Sequence, residues 1–232
     1  MTRAAGAAPA SPNFGPRRDG ARPELIVLHY TGMDSCAAAR ARLCDPAAEV
    51  SCHWLIAEDG GVEALVPEEM RAWHAGAGSW RGQGDVNSRS IGIEIANPGD
   101  RPFPEAQMAA LEALLAGVMA RWSIPAEGVI AHSDMAPERK IDPGPRFDWH
   151  RLARQGLSVW PGEGPAPAPD AAAFRALLLA FGYPDLPLAA ILPAFRMRFR
   201  PGFAGPPDTR DMAIAADLAA RFGEDGGAWR AG

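Results

Sequence analysis

Two histidines sit at the ends of short apolar runs: His29 in ELIVLHY (24–30) and His132 in GVIAH (128–132). Both runs read as strands, and strand ends are rigid, so the two imidazoles can converge above one edge of a sheet. A third ligand can come from Asp142, in the loop that leaves His132. Two imidazoles and a carboxylate make a catalytic zinc set, which takes three protein ligands at about 2.0–2.2 Å and leaves a fourth position for water. On their own, ligands this far apart in sequence are a weak signal, and a single histidine at a strand end is more often structural.

Two charged residues stand near this set. Glu94 lies inside the run IGIEIA (91–96), where a carboxylate is costly to bury. Either it pairs with a nearby cation, or it serves as a general base beside a metal-bound water. Lys140 stands two residues before Asp142. It is either a solvated loop lysine or a donor to the oxyanion of a tetrahedral intermediate. The three cysteines, Cys36, Cys44 and Cys52, are odd in number and form no C-x-x-C pair, so they read as packing residues. Cys52 and His53 are adjacent in a strand pattern and point to opposite faces, which rules out a dyad and a cysteine-peptidase reading.

The elements that must position these groups follow from periodicity. After the first strand, a helix is expected from Asp34 or Ser35 to about Cys44, stopped by Pro46. VSCHWLI (50–56) and VEALV (62–66) read as strands joined by the turn AEDGG. Residues 71–90 are Gly-rich with Trp and His, and a long loop of this kind is usually functional. In the next strand Ile91, Ile93 and Ile95 share one face, and Gly92, Glu94 and Ala96 the other. Met108, Leu111, Leu115, Val118 and Trp122 give residues 104–122 a helical stripe. A short helix is expected over 149–155. A Pro-rich run (158–170) precedes three further helical segments at 171–181, 188–199 and 208–222.

At 232 residues the chain has room for one ordinary domain and a small one. Its 47% apolar and 22% charged residues are those of a soluble globular protein. A net charge of -5, with no basic run, argues against a nucleic-acid partner. No stretch reaches the ~20 apolar residues of a membrane span. The first residues lack the apolar core of a secretory signal, so a cytoplasmic location is expected, with periplasmic or outer-membrane-associated as the alternative. Monomer is the default expectation.

Five stretches together resemble the AmpD/AmiD type of N-acetylmuramoyl-L-alanine amidase (the amidase_2 family). They are LHYTG (28–32), SCHWLIAEDG (51–60), RAWHAGAGSW (71–80), NSRSIGIEIANPG (87–99) and HSDMAPERKIDPGPRFDW (132–149). The resemblance implies an α/β fold with a mixed central sheet flanked by helices. It implies a Zn2+ held by His29, His132 and Asp142, with Glu94 and Lys140 catalytic. It places Asn87 at a substrate-contacting position and His53 and His74 near the substrate cleft. Trp73 and Trp80 read either as apolar walls for the sugar or peptide or as core packing. AFGYP (180–184) and AFRMRFRP (194–201) resemble, more weakly, the peptidoglycan-binding helical domain of AmiD-type enzymes. The expected layout is a flexible arm (1–22), a zinc amidase domain (23–157), a linker (158–170) and a three-helix domain (171–232). The expected substrate is peptidoglycan or a muropeptide; the alternative is a non-catalytic peptidoglycan-binding protein. AmpD-type enzymes usually lack the helical domain and AmiD-type enzymes are usually exported, so this chain falls between the two patterns.

Overall fold

The computed structural model describes residues 10–162, 164 and 167–223. The chain runs β1 (Phe14–Pro16), β2 (Leu25–Tyr30), α1 (Cys36–Leu43), β3 (Trp54–Ile56), β4 (Val62–Ala64), β5 (Met70–Ala72), α2 (Val86–Arg89), β6 (Ser90–Ile95), α3 (Glu105–Trp122), β7 (Val129–Ala131), α4 (His132–Met135), α5 (Trp149–Arg154), α6 (Ala171–Phe181), α7 (Leu188–Phe199) and α8 (Thr209–Phe222). Five strands form a sheet in the order β4-β3-β6-β2-β7. β3, β6, β2 and β7 are parallel, and β4 closes the edge antiparallel to β3. The expected α/β fold with a mixed sheet is therefore present.

The alternation along β2 and β6 decides what covers each face. Ile26, Leu28, Ile91, Ile93 and Ile95 form one hydrophobic cluster with Met108, Leu111, Leu115 and Val118 of α3. Leu25 and Val27 point the other way and join a cluster with Phe174, Leu178, Phe195 and Leu218 of α6, α7 and α8. The C-terminal helices thus form the second layer over the sheet and share their core with it. The sequence divides at the Pro-rich run, but the packing is continuous across it. The expected linker and helical segment also include positions 163, 165, 166 and 224–232, which lie outside the described residues.

A buried polar network ties the two parts together. Asp134 of α4 accepts from Arg198 of α7 at 2.5 Å, from the Tyr183 hydroxyl at 2.8 Å and from the Ala131 N–H at 2.9 Å. Arg198 and Asp134 are both inaccessible to solvent, and the guanidinium lies over the Trp149 ring.

Two segments differ from the sequence reading. Residues 1–9 of the expected flexible arm lie outside the described residues, but the rest of the arm is folded. β1 pairs antiparallel with β5, and Arg17 donates to the Ser88 and Ser90 carbonyls at 2.7 and 3.1 Å and to Glu68 O at 2.6 Å. These elements are three residues long, too short for a periodic signal. Among the described residues, no helix is long and apolar enough to cross a membrane.

Breaking the buried pair on one side leaves Asp134 without its cation, so Arg198→Ala should cost about 3–5 kcal/mol. Urea unfolding with and without the substitution measures this. A cost below about 1 kcal/mol would mean that the network does not hold the two parts together.

Candidate active site

The parallel register brings the chemistry together. His29 of β2 and Glu94 of β6 are paired across the ladder, so both side chains rise from the same face at the carboxyl ends of neighbouring strands. Open α/β sheets bind ligands in the crevice at this end. His132 follows directly on β7, the other neighbour of β2. The expectation ended that strand on His132. In the structure the strand stops one residue earlier, and His132 opens α4. The loop after α4 then returns Asp142 to the same point, with Ser133 N–H donating to the Asp142 carbonyl at 3.0 Å.

His29, His132 and Asp142 are the group of potential metal ligands found among the described residues, and all three are buried. His29 Nδ1, His132 Nδ1 and Asp142 Oδ2 lie 2.9 Å from one another. Whether a cation fits there can be read from hydrogen-bond directions. His132 Nε2 is 2.9 Å from the Ala75 carbonyl, which can only accept, so Nε2 carries a proton. A proton held on Nε2 leaves Nδ1 as the atom to bind a cation, and Nδ1 is aimed at a carboxylate oxygen. Two imidazole nitrogens and a carboxylate oxygen gathered away from water form a donor set that fits a divalent ion. Burial, reinforced by His132, lowers the His29 pKa to about 4, so its imidazole is neutral, as a metal ligand must be.

A cleft of about 390 Å³ opens over this cluster. Glu94, Lys140, Trp73 and His74 line it with the three potential ligands. Glu94 Oε2 is shielded from solvent and finds no hydrogen-bond partner among the described residues. Burial, then the charge of Asp142, raises the Glu94 pKa well above the ordinary carboxylate value, and Lys140 opposes the shift. Among the described residues Glu94 is not one half of a closed ion pair. Tyr30, Thr31, Arg42 and Ile141 also line the cleft. In the sequence, only their nearness to the ligands or to the motifs points to them. Ile141, at 59% relative exposure, is an apolar side chain left uncovered at the mouth.

Three residues expected near substrate sit in different places. His74 faces the cleft but is bound on both sides, with Nδ1 3.1 Å from His29 Nε2 and Nε2 3.2 Å from Ser90 Oγ. Asn87 is buried behind it, its Oδ1 accepting from the His74 and Ala75 N–H groups at 3.0 and 2.8 Å. His53 is fully buried, accepting from Gly92 N–H at 2.8 Å through Nδ1 and donating to Met70 O at 3.0 Å. Neither Asn87 nor His53 lines the cleft. Trp80 is core, edge-on to Phe181 and Tyr183. Cys52 is inaccessible, and burial pushes its thiol well above the ordinary value, so no thiolate nucleophile is at hand.

A protein-family model described as N-acetylmuramoyl-L-alanine amidase matches residues 19–145. The chain is 37% identical over 237 residues to the N-acetylmuramoyl-L-alanine amidase AmiD of Escherichia coli (strain K12), a match covering 88% of this chain and 85% of that one. It is 35% identical over 159 residues to the 1,6-anhydro-N-acetylmuramyl-L-alanine amidase AmpD of Citrobacter freundii, covering 61% and 85% of the two chains. Among solved structures it is similar to AmiD from E. coli in complex with the substrate anhydro-N-acetylmuramic acid-L-Ala-D-gamma-Glu-L-Lys. There the TM-score is 0.80 at 36% identity, covering 96% of this chain and 94% of that one.

The buried imidazoles make stability pH-dependent. Burial lowers the pKa of His29 to about 4 and of His53 to about 3, against an ordinary value of 6.5. On acidification the unfolded chain takes up these protons first, so stability is full above about pH 6.5 and falls towards pH 4. The slope should approach about 1.4 kcal/mol per pH unit for each such histidine. Glu94, with its raised pKa, titrates with the opposite sign, so urea melts of the metal-free Glu94→Gln variant between pH 7 and 4.5 give the slope, and a flat profile there would mean that these rings are charged in the fold.

Proposed function

The chain belongs to the N-acetylmuramoyl-L-alanine amidase family, and we propose that it hydrolyses the amide between N-acetylmuramic acid and L-alanine, using a zinc ion held by His29, His132 and Asp142. The observation that carries this reading is the convergence of the three potential ligands beside an unpartnered Glu94 carboxylate oxygen in one cleft. Two imidazoles and one carboxylate suit zinc, and the cleft leaves an open side for water. A muropeptide with an anhydro sugar is the substrate of choice for a first assay, since an anhydro sugar is named both for AmpD and for the AmiD complex.

Zinc in this position would polarise water and the amide carbonyl, so that an attacking hydroxide is available near neutral pH. The residues of the chain do the rest. Glu94 accepts the proton of the attacking water as the new C–O bond forms. The raised Glu94 pKa suits the return of that proton to the L-alanine nitrogen as the C–N bond breaks. Lys140, in the same cleft, donates to the oxyanion while the carbon is tetrahedral. Trp73 and Ile141 give the cleft apolar surface against which the sugar or the stem peptide can rest. The products are the free lactyl carboxylate of the sugar and a peptide beginning with L-alanine.

The test is to incubate the zinc-loaded protein with a mixture of anhydro- and non-anhydro-muropeptides and follow the products by mass spectrometry. Release of peptides beginning with L-alanine is expected. Glu94→Gln should keep its zinc and lose about 10²–10⁴-fold in turnover. Asp142→Ala should lose zinc and activity together, as measured by elemental analysis alongside the assay. Full turnover in the first variant, or full zinc in the second, would remove that residue from its role.

A further inference from the structure

Hydrogen-bond directions around His74 extend beyond the cleft. The Ser90 hydroxyl lies 2.5 Å from the Val86 carbonyl, which can only accept, so its single proton points there. Ser90 Oγ is then an acceptor for His74 Nε2 at 3.2 Å, and that places the His74 ring proton on Nε2. His74 Nδ1 is left bare, and it faces His29 Nε2 at 3.1 Å. The contact is a hydrogen bond only if His29 carries its proton on Nε2. His29 Nδ1, the atom turned towards Asp142 and His132, is thereby held bare.

The second imidazole is fixed from the same turn. His132 Nε2 donates to the carbonyl of Ala75, the residue after His74. Both backbone N–H groups of this turn, at His74 and Ala75, end on Asn87 Oδ1. The His74 ring lies where a side chain at position 92 would be, since a Cβ there would meet the ring at 2.4–2.7 Å. Gly92 is thus the residue that lets the ring lie against the sheet.

We propose that the His74–Ala75 turn, fastened by Asn87 and aligned by Ser90, is a positioning device that fixes both imidazoles of the metal centre with Nδ1 bare. His74 and Asn87 would then act through the ligands and not on the substrate. The inference rests on the metal-site reading above and adds to it residues that touch neither metal nor the scissile bond. Partners of this kind orient the ring, and their loss usually costs 10–100-fold in metal affinity.

The experiment measures zinc dissociation constants by chelator competition for the parent chain and for His74→Ala, His74→Asn and Asp142→Ala, with thermal melts recorded beside them. His74→Ala should weaken zinc 10–100-fold. His74→Asn should return most of the affinity, because its amide oxygen can accept from His29 Nε2–H where the ring nitrogen did. Parent affinity in His74→Ala, with zinc lost in Asp142→Ala, would overturn this inference alone. A parent chain that binds no zinc would overturn the metal-site reading and this inference together. Long-range proton–nitrogen spectra of the histidine-labelled, metal-free parent test the same point without a variant that must fold. They should show His29 and His132 both protonated on Nε2, and a His29 protonated on Nδ1 would overturn the proposal.

Discussion

Electron-rich atoms repel one another, and this site holds such atoms together out of water. His29 Nδ1, His132 Nδ1 and Asp142 Oδ2 come within 2.9 Å of each other in a buried place. Such an arrangement fits a cation among the donors, provided that the surrounding structure keeps protons off the nitrogens that face it. Much of the architecture can be read as gathering the donors and meeting that condition. The parallel strands β2, β6 and β7 end side by side, so His29, Glu94 and His132, up to 103 residues apart, arrive on one edge. The layer behind them supplies acceptors for the outward-facing ring nitrogens.

The sheet meets these demands because its two faces carry different side chains. The face against α3 is uniformly aliphatic, with Ile91, Ile93 and Ile95 in one row. The opposite face of the same strand holds Ser90, Gly92 and Glu94. Ser90 orients His74, Gly92 makes room for it, and Glu94 reaches the cleft. A register slip of one residue would send all three into the aliphatic core and bring isoleucines under the potential metal ligands. The ladder that pairs His29 with Glu94 therefore specifies the site as well as the fold.

How much of this is legible in the sequence depends on the range of the interaction. Long periodic elements are readable, as in the α3 stripe and the helices after residue 170, because repeated burial leaves a repeated pattern. The expected metal ligands and Glu94 stand out because a histidine at a strand end and a carboxylate amid isoleucines break that pattern. Three-residue strands leave no pattern, which is why β1 and β5 were hidden in an arm and a loop. Asn87 and His53 are polar residues near the motifs, and residue type alone cannot separate a group that faces a ligand from one that fastens a turn. One signal does exist for His74: a glycine inside a strand often marks a close approach, and Gly92 is such a glycine.

The C-terminal helices follow a Pro-rich run in sequence and look appended. In the structure Arg198 and Tyr183 meet at Asp134, two residues after His132, and Asp134 accepts from the N–H of Ala131, the residue before His132. The backbone on either side of a potential metal ligand is thus held by groups from beyond the linker. Leu25 and Val27, on the strand that carries His29, are covered by the same helices. A helix layer that buries one potential ligand's strand and clamps the turn of the other belongs to the scaffold of the site, whatever else its outer surface contacts. Removing it would uncover the sheet face that supports His74, so in this chain the site and the C-terminal helices cannot be treated as independent parts.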